Sequence, residues 1–517
     1  MARKRITIDA DSVLQGWGKS NRYFYTTLTS SYEMPNGQYA ENSNAISLFR
    51  ANRRGHISPG EAFTALTDAG ARVTGLPLNG VIRSDSEMFA ILDNARVVQF
   101  GVDDAIDAHN ATAAHGGHGS LTGEDILVYK NSTDEYVLYS WNDDTDGDVG
   151  RMDKATGTYD DDWLSTVVTT QTNGSALTNG VPHKLVLGKD GLVYIANGNY
   201  IARWDDSSDE VDYQAFQVTP GFTVRTMENY GDRMAILCDK DSVFSDFSLG
   251  ESKLILWDFS STQPDFVYDL EDSSVNASIV HNGILYAWTI GRDATQKVKI
   301  FNGSVFENVV ETTHLGEPPR YGSVGMFEDK IHFAPQGTNG VGKLACLDGV
   351  AVHDRARPTD ATKASDVGMV KNLASRFLYC GSTISGSDKI LKLDINKYWN
   401  GIGGVDPYWR SRLFTVEPNS TITKFHIYLS QWGTGAKFYL HFVKGFNNSQ
   451  AATSNNNDLI NTEFTYSDYG DVERITFTKT INNVDSFYLG LLFTHTNLSD
   501  TAAAIRRIDV EYETHNA

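Results

Sequence analysis

Gly191-Leu192-Val193-Tyr194-Ile195-Ala196-Asn197-Gly198-Asn199-Tyr200-Ile201-Ala202-Arg203-Trp204-Asp205 holds two short runs of aliphatic and aromatic residues. A polar loop separates them and a Trp-Asp step closes the second. Short apolar runs bounded by Gly, Asn and Asp read as the strands of a hairpin. The same unit recurs along the chain, in pairs of segments at 88–92 and 97–101, 136–139 and 149–153, and 233–237 and 253–258. It continues at 284–288 and 298–303, 330–333 and 343–349, and 376–380 and 390–394. The strand centres Phe89, Val137, Val193, Ala235, Leu285, Ile331 and Phe377 are spaced 48, 56, 42, 50, 46 and 46 residues apart. A four-stranded propeller blade takes roughly 40–50 residues, and its strands are apolar because blades stack face to face around an axis. The expectation is therefore an all-β chain dominated by a β-propeller of about seven blades. The aromatic side chain would pack between blades, and the Asp or Asn after it would form the turn. Stacked sandwiches are the competing architecture, since they also give hairpins at short spacing.

Two regions lie outside the repeat. Residues 1–70 are rich in Asn, Ser and Gly and read as an extended N-terminal docking arm. Residues 71–405 hold the β-propeller. From 406 to 517 the runs at 423–429, 437–443, 474–478, 486–493 and 505–513 alternate apolar and polar residues without the aromatic-Asp step. That pattern predicts a C-terminal antiparallel β-sandwich.

Composition narrows the function. The 517 residues carry 65 acidic and 44 basic side chains, a net charge of −21, which argues against a protein that coats nucleic acid. Forty per cent hydrophobic residues suffice for packed cores, and three cysteines exclude a disulfide scaffold. No apolar window approaches the eighteen residues of a membrane span, so no membrane insertion is expected. The start Met1-Ala2-Arg3-Lys4-Arg5-Ile6-Thr7-Ile8-Asp9 lacks the apolar run of a signal peptide. Sustained helical periodicity is nearly absent.

This organisation resembles the β-propeller virion proteins of tailed bacteriophages and related environmental viruses. The resemblance rests on the approach Arg53-Arg54-Gly55-His56-Ile57-Ser58-Pro59-Gly60 and the acidic tip Trp141-Asn142-Asp143-Asp144-Thr145-Asp146-Gly147-Asp148. It rests also on the hairpin at 191–199 and the ending Ile505-Arg506-Arg507-Ile508-Asp509-Val510-Glu511-Tyr512. It implies a non-enzymatic structural component of a virion, in the tail or an appendage, working by symmetric assembly. The partners would be other virion proteins and further copies of the chain, with exposed loops contacting the host. Such a protein would be made in the host cytoplasm and end in the virion. The alternative is a carbohydrate-binding adhesin or receptor-binding protein, motivated by abundant Tyr, Trp and Asp and directed at a host surface glycan.

Three local motifs invite chemistry. Asn142, Asp144, Asp146 and Asp153 fall at positions 1, 3, 5 and 12 of a calcium loop, with Gly147 at its sharp turn. The other reading is an acidic, solvated hairpin tip, where Asp and Gly are favoured anyway. His109, His115 and His118 suit either a transition metal or an inter-blade or subunit-contact loop. Arg3-Lys4-Arg5 with Arg50, Arg53 and Arg54 make the arm basic, for docking on an acidic neighbour or as ordinary surface charge. No hydrolase elbow, phosphate loop or sialidase box occurs, and Cys238, Cys346 and Cys380 read as buried thiols, so no enzyme is expected.

Overall fold

The computed structural model describes residues 2–8, 39–43, 46–47, 56–59, 61–75, 77–84, 87–101, 105–106, 121–153, 158–240, 250–292, 295–312, 324–333, 344–348, 351–357, 367–369, 378–384, 387–398, 408–411, 413–444, 460–495 and 501–514. The chain divides into two compact units, one of residues 65–342 and 363–392, the other of 1–64, 343–362 and 393–517. The fold is all-β: a β-propeller of about seven blades with a C-terminal antiparallel β-sandwich, whose sheet the N-terminal strands Ala2–Ile8 and Tyr39–Ser43 join. Among the described residues no helix is long and apolar enough to cross a membrane.

The first unit is the propeller. Blade 1 pairs Pro77–Ser84, Glu87–Leu92 and Val97–Gly101. Blade 2 orders Thr122–Lys130, Glu135–Asn142, Gly147–Asp153 and Tyr159–Asp160. Blade 3 orders Leu185–Leu187, Val193–Asn197, Tyr200–Asp205 and Glu210–Gln217, with Thr170–Thr172 added in parallel outside the last. Blade 4 is Phe222–Tyr230, Arg233–Lys240, Ser252–Trp257 and Phe266–Asp269. Blade 5 is Ser274–His281, Ile284–Ile290, Gln296–Phe301 and Phe306–Thr312. The hairpin Val324–Phe327 with Lys330–Phe333 begins blade 6, and Val367–Met369 with Tyr379–Ile384 begins blade 7. The first strands of blades 7, 1, 2, 3, 4, 5 and 6 pack each against the next in that order. The recurring unit of the sequence is the central hairpin of a blade, as in Val193↔Trp204 and Ala235↔Leu256.

Strand alternation builds the core. Successive side chains of a strand face opposite sides of its sheet, so a blade buried on both faces feeds two inter-blade layers. Val193 and Ile195 pack with Leu138 and Val149 of blade 2, while Tyr194 and Ala196 pack with Ile236 and Trp257 of blade 4. Met234 and Ile236 face blade 3, and Ala235 and Leu237 face blade 5. In blades 3 and 4 the aromatic before the turn wedges between blades. Trp204 meets Trp163 at 4.7 Å and Tyr129 at 4.9 Å, both edge-on, and Trp257 stacks on Phe216 at 4.5 Å. The next residue closes the turn: Asp258 accepts the Ser260 and Ser261 N–H groups at 3.0 Å, and Asn302 accepts those of Ser304 and Val305 at 3.1 Å.

In the second unit, one strand makes two layers. Arg474–His495 pairs over residues 474–487 with Phe414–Gln431, which pairs in turn with Ala504–Thr514. The second half pairs with Ala436–Lys444 and with Tyr408–Ser411. Register shifts between the halves, beside Asn483 at φ 55°, mark the bend that carries the strand from layer to layer. Phe425 meets Phe442 and Phe464 meets Phe477 edge-on across the core. The N-terminal strand Ala2–Ile8 is an edge of this sheet, antiparallel to Ala504–Thr514. Its basic residues are taken up within the chain: Arg3 by Glu513 at 3.0 Å, Arg5 by Asp509 at 3.2 Å, and Lys4 by Glu417. Arg50, Arg53 and Arg54 lie outside the described residues.

The wedge role makes a stability prediction. Trp204→Ala removes an indole packed against two rings and is expected to cost about 3–5 kcal/mol, measured by denaturant unfolding. A loss within about 0.5 kcal/mol, the level of an ordinary surface change, would contradict that packing.

Candidate functional site

The calcium motif lies on the central hairpin of blade 2. Asp143 folds its tip into an Asx turn, its Oδ1 accepting from Thr145 N at 2.6 Å and Asp146 N at 2.7 Å. Asn142 points inward, and its amide is fully used. Nδ2 donates to Glu124 Oε1 at 3.1 Å and to the Val181 carbonyl at 3.0 Å, and Oδ1 accepts from Gly180 N at 3.0 Å. Asp153 pairs with Tyr136 at the far end of the hairpin, six residues from Gly147. At about 3.3 Å per residue that places it roughly 20 Å from the turn. A calcium loop curls so that its last ligand returns to the first, whereas this segment runs straight as a strand. The structure therefore does not bring Asn142, Asp144, Asp146 and Asp153 together. Among the described residues no three His, Cys, Asp or Glu side chains form a metal-holding group. His109, His115 and His118 lie outside the described residues.

What surrounds Asn142 is a buried polar network joining blades 2 and 3. His183 Nδ1 donates to the Ala196 carbonyl at 2.9 Å, and its Nε2 lies 3.0 Å from Asn142 Oδ1. A Cβ at Gly147 would stand 2.2 Å from that Nε2, so the site requires glycine there. Beside it, Asp125 accepts from Lys184 Nζ at 2.7 Å and from the Leu185 N–H at 2.9 Å. The Ser140 hydroxyl accepts the Asp125 N–H at 3.0 Å and donates to the His183 carbonyl at 2.6 Å. Asp148, on the next strand, takes the Ser165 hydroxyl and the Val149 N–H.

Burial sets the protonation states. It pushes the Glu124 carboxyl up to about 7, against the Asn142 amide that favours the anion. It raises Asp148 to about 7, although Ser165 and Val149 donate to it, and lowers His183 to about 4. It lifts the Cys238 thiol to about 12 and raises that of Cys380, so both stay protonated and poorly nucleophilic. Shifted carboxylates often mark catalysis, but structural networks shift them too.

Repetition supports the structural sense. Between blades 4 and 5, Asp239 takes Arg225 Nε at 2.7 Å and the Val275 N–H at 3.1 Å. Asp272 takes Lys297 at 2.9 Å, Lys299 at 2.8 Å and the Thr289 hydroxyl at 2.7 Å. At both junctions a carboxylate of one blade, neutralised by a basic side chain, holds a backbone N–H of the next. Sequence reasoning missed these residues. Their signal is a charge abutting an apolar run, as in Asp125-Ile126-Leu127-Val128 and Ile236-Leu237-Cys238-Asp239.

No family model and no curated protein matches the chain. Solved structures similar to it include Raptor from Chaetomium thermophilum, at 10% identity and TM-score 0.45, over 65% of this chain and 29% of that one. Another is the WD40 β-propeller domain of Doa1, at 10% identity and TM-score 0.43, over 65% of this chain and 97% of that one. A third is an exo-β-1,3-galactanase from Phanerochaete chrysosporium, at 10% identity and TM-score 0.34, over 88% and 100%. The neighbours thus include an enzyme and a WD40 domain, and the likeness is one of fold alone.

The shifted groups fix a pH dependence. Glu124 and Asp148 keep their protons to about pH 7 in the fold, against ordinary values of 4.5 and 3.8. Their contribution to stability is complete below the ordinary values and is lost as the pH rises to about 7. His183 stays neutral down to about 4 against 6.5, so its contribution is complete above 6.5 and is lost as the pH falls. Two carboxyls outweigh one imidazole, so the melting temperature is expected to fall between about pH 5.5 and pH 8. The double variant Glu124→Gln, Asp148→Asn should flatten that fall. An unchanged slope would remove these two groups from the account.

Proposed function

We propose that this chain is a non-catalytic structural protein of a virion tail or appendage, which assembles with further copies of itself and with other virion proteins. The observation that carries the non-catalytic part is the use made of the buried ionisable groups. Asp125, Asp239 and Asp272 each hold basic side chains, and Asp125 and Asp239 also hold an N–H of the next blade. Groups spent on joining blades serve rigidity, and a rigid body with fixed faces suits a symmetric assembly. The virion setting rests on the sequence resemblance. The expected outcome in light scattering after size exclusion is a closed oligomer of fixed copy number, with no hydrolysis across a panel of bacterial polysaccharides. A monomer that cleaves one of those polysaccharides would overturn the reading.

One feature favours the second reading, a carbohydrate-binding adhesin. On the sandwich, Tyr469 is 41% exposed and stacks on Trp432 at 6.1 Å and 26°, offering its outer face as an aromatic platform. Binding on a glycan array that Tyr469→Ala abolishes would select the adhesin over the scaffold.

A further inference from the structure

We propose that the outer edge of blade 4, the strand Phe266–Asp269, is a docking edge for an extended basic segment of a partner polypeptide, which adds to the blade as a fifth strand. Among the described residues this strand ends its sheet, in the order 222–230, 233–240, 252–257, 266–269. The register fixes which backbone groups face outward. Leu270 N donates to the Ser252 carbonyl at 3.0 Å, and Leu254 stands opposite Tyr268. Bonded pairs alternate along an antiparallel ladder, so Phe266, Tyr268 and Leu270 turn their backbone groups inward. Val267 and Asp269 therefore present N–H and C=O groups to solvent.

An exposed edge is ordinarily blunted by charge, proline or shortness. Blade 5's outer strand carries Glu307 and Asn308, and blade 2's is the two-residue Tyr159–Asp160. Blade 4's, four residues ending in Asp269, differs in carrying two exposed apolar side chains, Phe266 at 49% and Val267 at 47% exposure. Phe266 begins an aromatic ladder that continues through Tyr268, stacked at 6.3 Å, to Phe301 at 4.8 Å and Phe306 at 5.1 Å. A strand laid along this edge gains main-chain bonds and apolar contact together, the recognition mode of β-augmentation.

The form and the charge of the occupant both follow from this chain. Blade 3 accepts such a strand from within the molecule, since Thr170–Thr172 runs parallel to Glu210–Gln217 in the register Thr170↔Glu210, Gln171↔Val211, Thr172↔Asp212. The blade 4 edge carries Asp269 in the strand and Asp258, Asp265 and Glu271 beside it. The neighbouring cation Arg233 is already held by Asp265 at 2.9 Å and Asp232 at 3.0 Å, with its guanidinium over Phe266. The remaining charge is acidic and calls for Lys or Arg on the incoming strand.

The test uses the full chain and a fluorescein-labelled peptide, Lys-Val-Thr-Val-Lys-Val, with Glu-Val-Thr-Val-Glu-Val as its acidic counterpart, read by fluorescence anisotropy. The basic peptide is expected to bind at least about tenfold more tightly than the acidic one. Val267→Pro removes an outward donor and should weaken binding about tenfold without moving the melting temperature. Should that variant fail to fold, Val267→Lys places an edge-protecting residue at the same position and carries the same expectation. Equal binding of the two peptides, or binding that neither variant weakens, overturns the proposal. Self-association of the unlabelled protein that Val267→Lys abolishes also overturns it, by giving the edge to a second copy.

Discussion

Asp125 is 3% exposed between two blades, and an ionised carboxylate in that place must be neutralised and hydrogen-bonded or it destabilises the fold. Lys184 and the Leu185 N–H of the next blade meet both needs at once. Apolar layers set how closely blades pack, but one CH group contacts another equally well and is indifferent to which partner it meets. A charge-assisted bond to one particular N–H is not indifferent. Removing either partner leaves a buried charge alone, at a cost of about 3–5 kcal/mol. The same device at Asp239, with Arg225 and Val275, sets the junction two blades further on.

The apolar layers supply the bulk of the stability around these clamps. Each strand divides its residues between two layers, so no blade has a core of its own, and the blades stabilise one another or not at all. The aromatic at the end of the third strand suits this arrangement. Trp204 and Trp257 span the gap between blades, and the Asp that follows starts the turn with its carboxylate bonded to backbone N–H groups. Packing and turn chemistry agree at adjacent positions, which is why the Trp-Asp step recurs.

The central hairpins were legible because they are the most apolar strands, covered on both sides, and carry the aromatic-Asp step. Phe377, one of the seven marked centres, lies outside the described residues. First strands such as Phe222–Tyr230 mix Thr, Arg and Glu with their apolar residues and gave no comparable pattern. In the sandwich, the runs at 474–478 and 486–493 are parts of one strand, Arg474–His495. The stretch Lys479-Thr480-Ile481-Asn482-Asn483-Val484-Asp485 between the two runs continues the strand, with register shifts against Phe414–Gln431. The acidic hairpin tip was legible as a turn. Its inward-facing member, Asn142, was not, because side-chain direction depends on the blade beside it. The clamps escaped for the same reason: one Asp next to an apolar run says nothing of the distant Lys184 that neutralises it.

The central claim is that buried carboxylates lock consecutive blades by holding specific backbone N–H groups. Hydrogen exchange at the Leu185 and Val275 amides tests it most directly. Both should be strongly protected in the native protein. Asp125→Ala should release Leu185 alone and Asp239→Ala should release Val275 alone, while amides inside the hairpin ladders keep their protection. Unchanged exchange at both amides in these variants would show that the blades are held without the clamps.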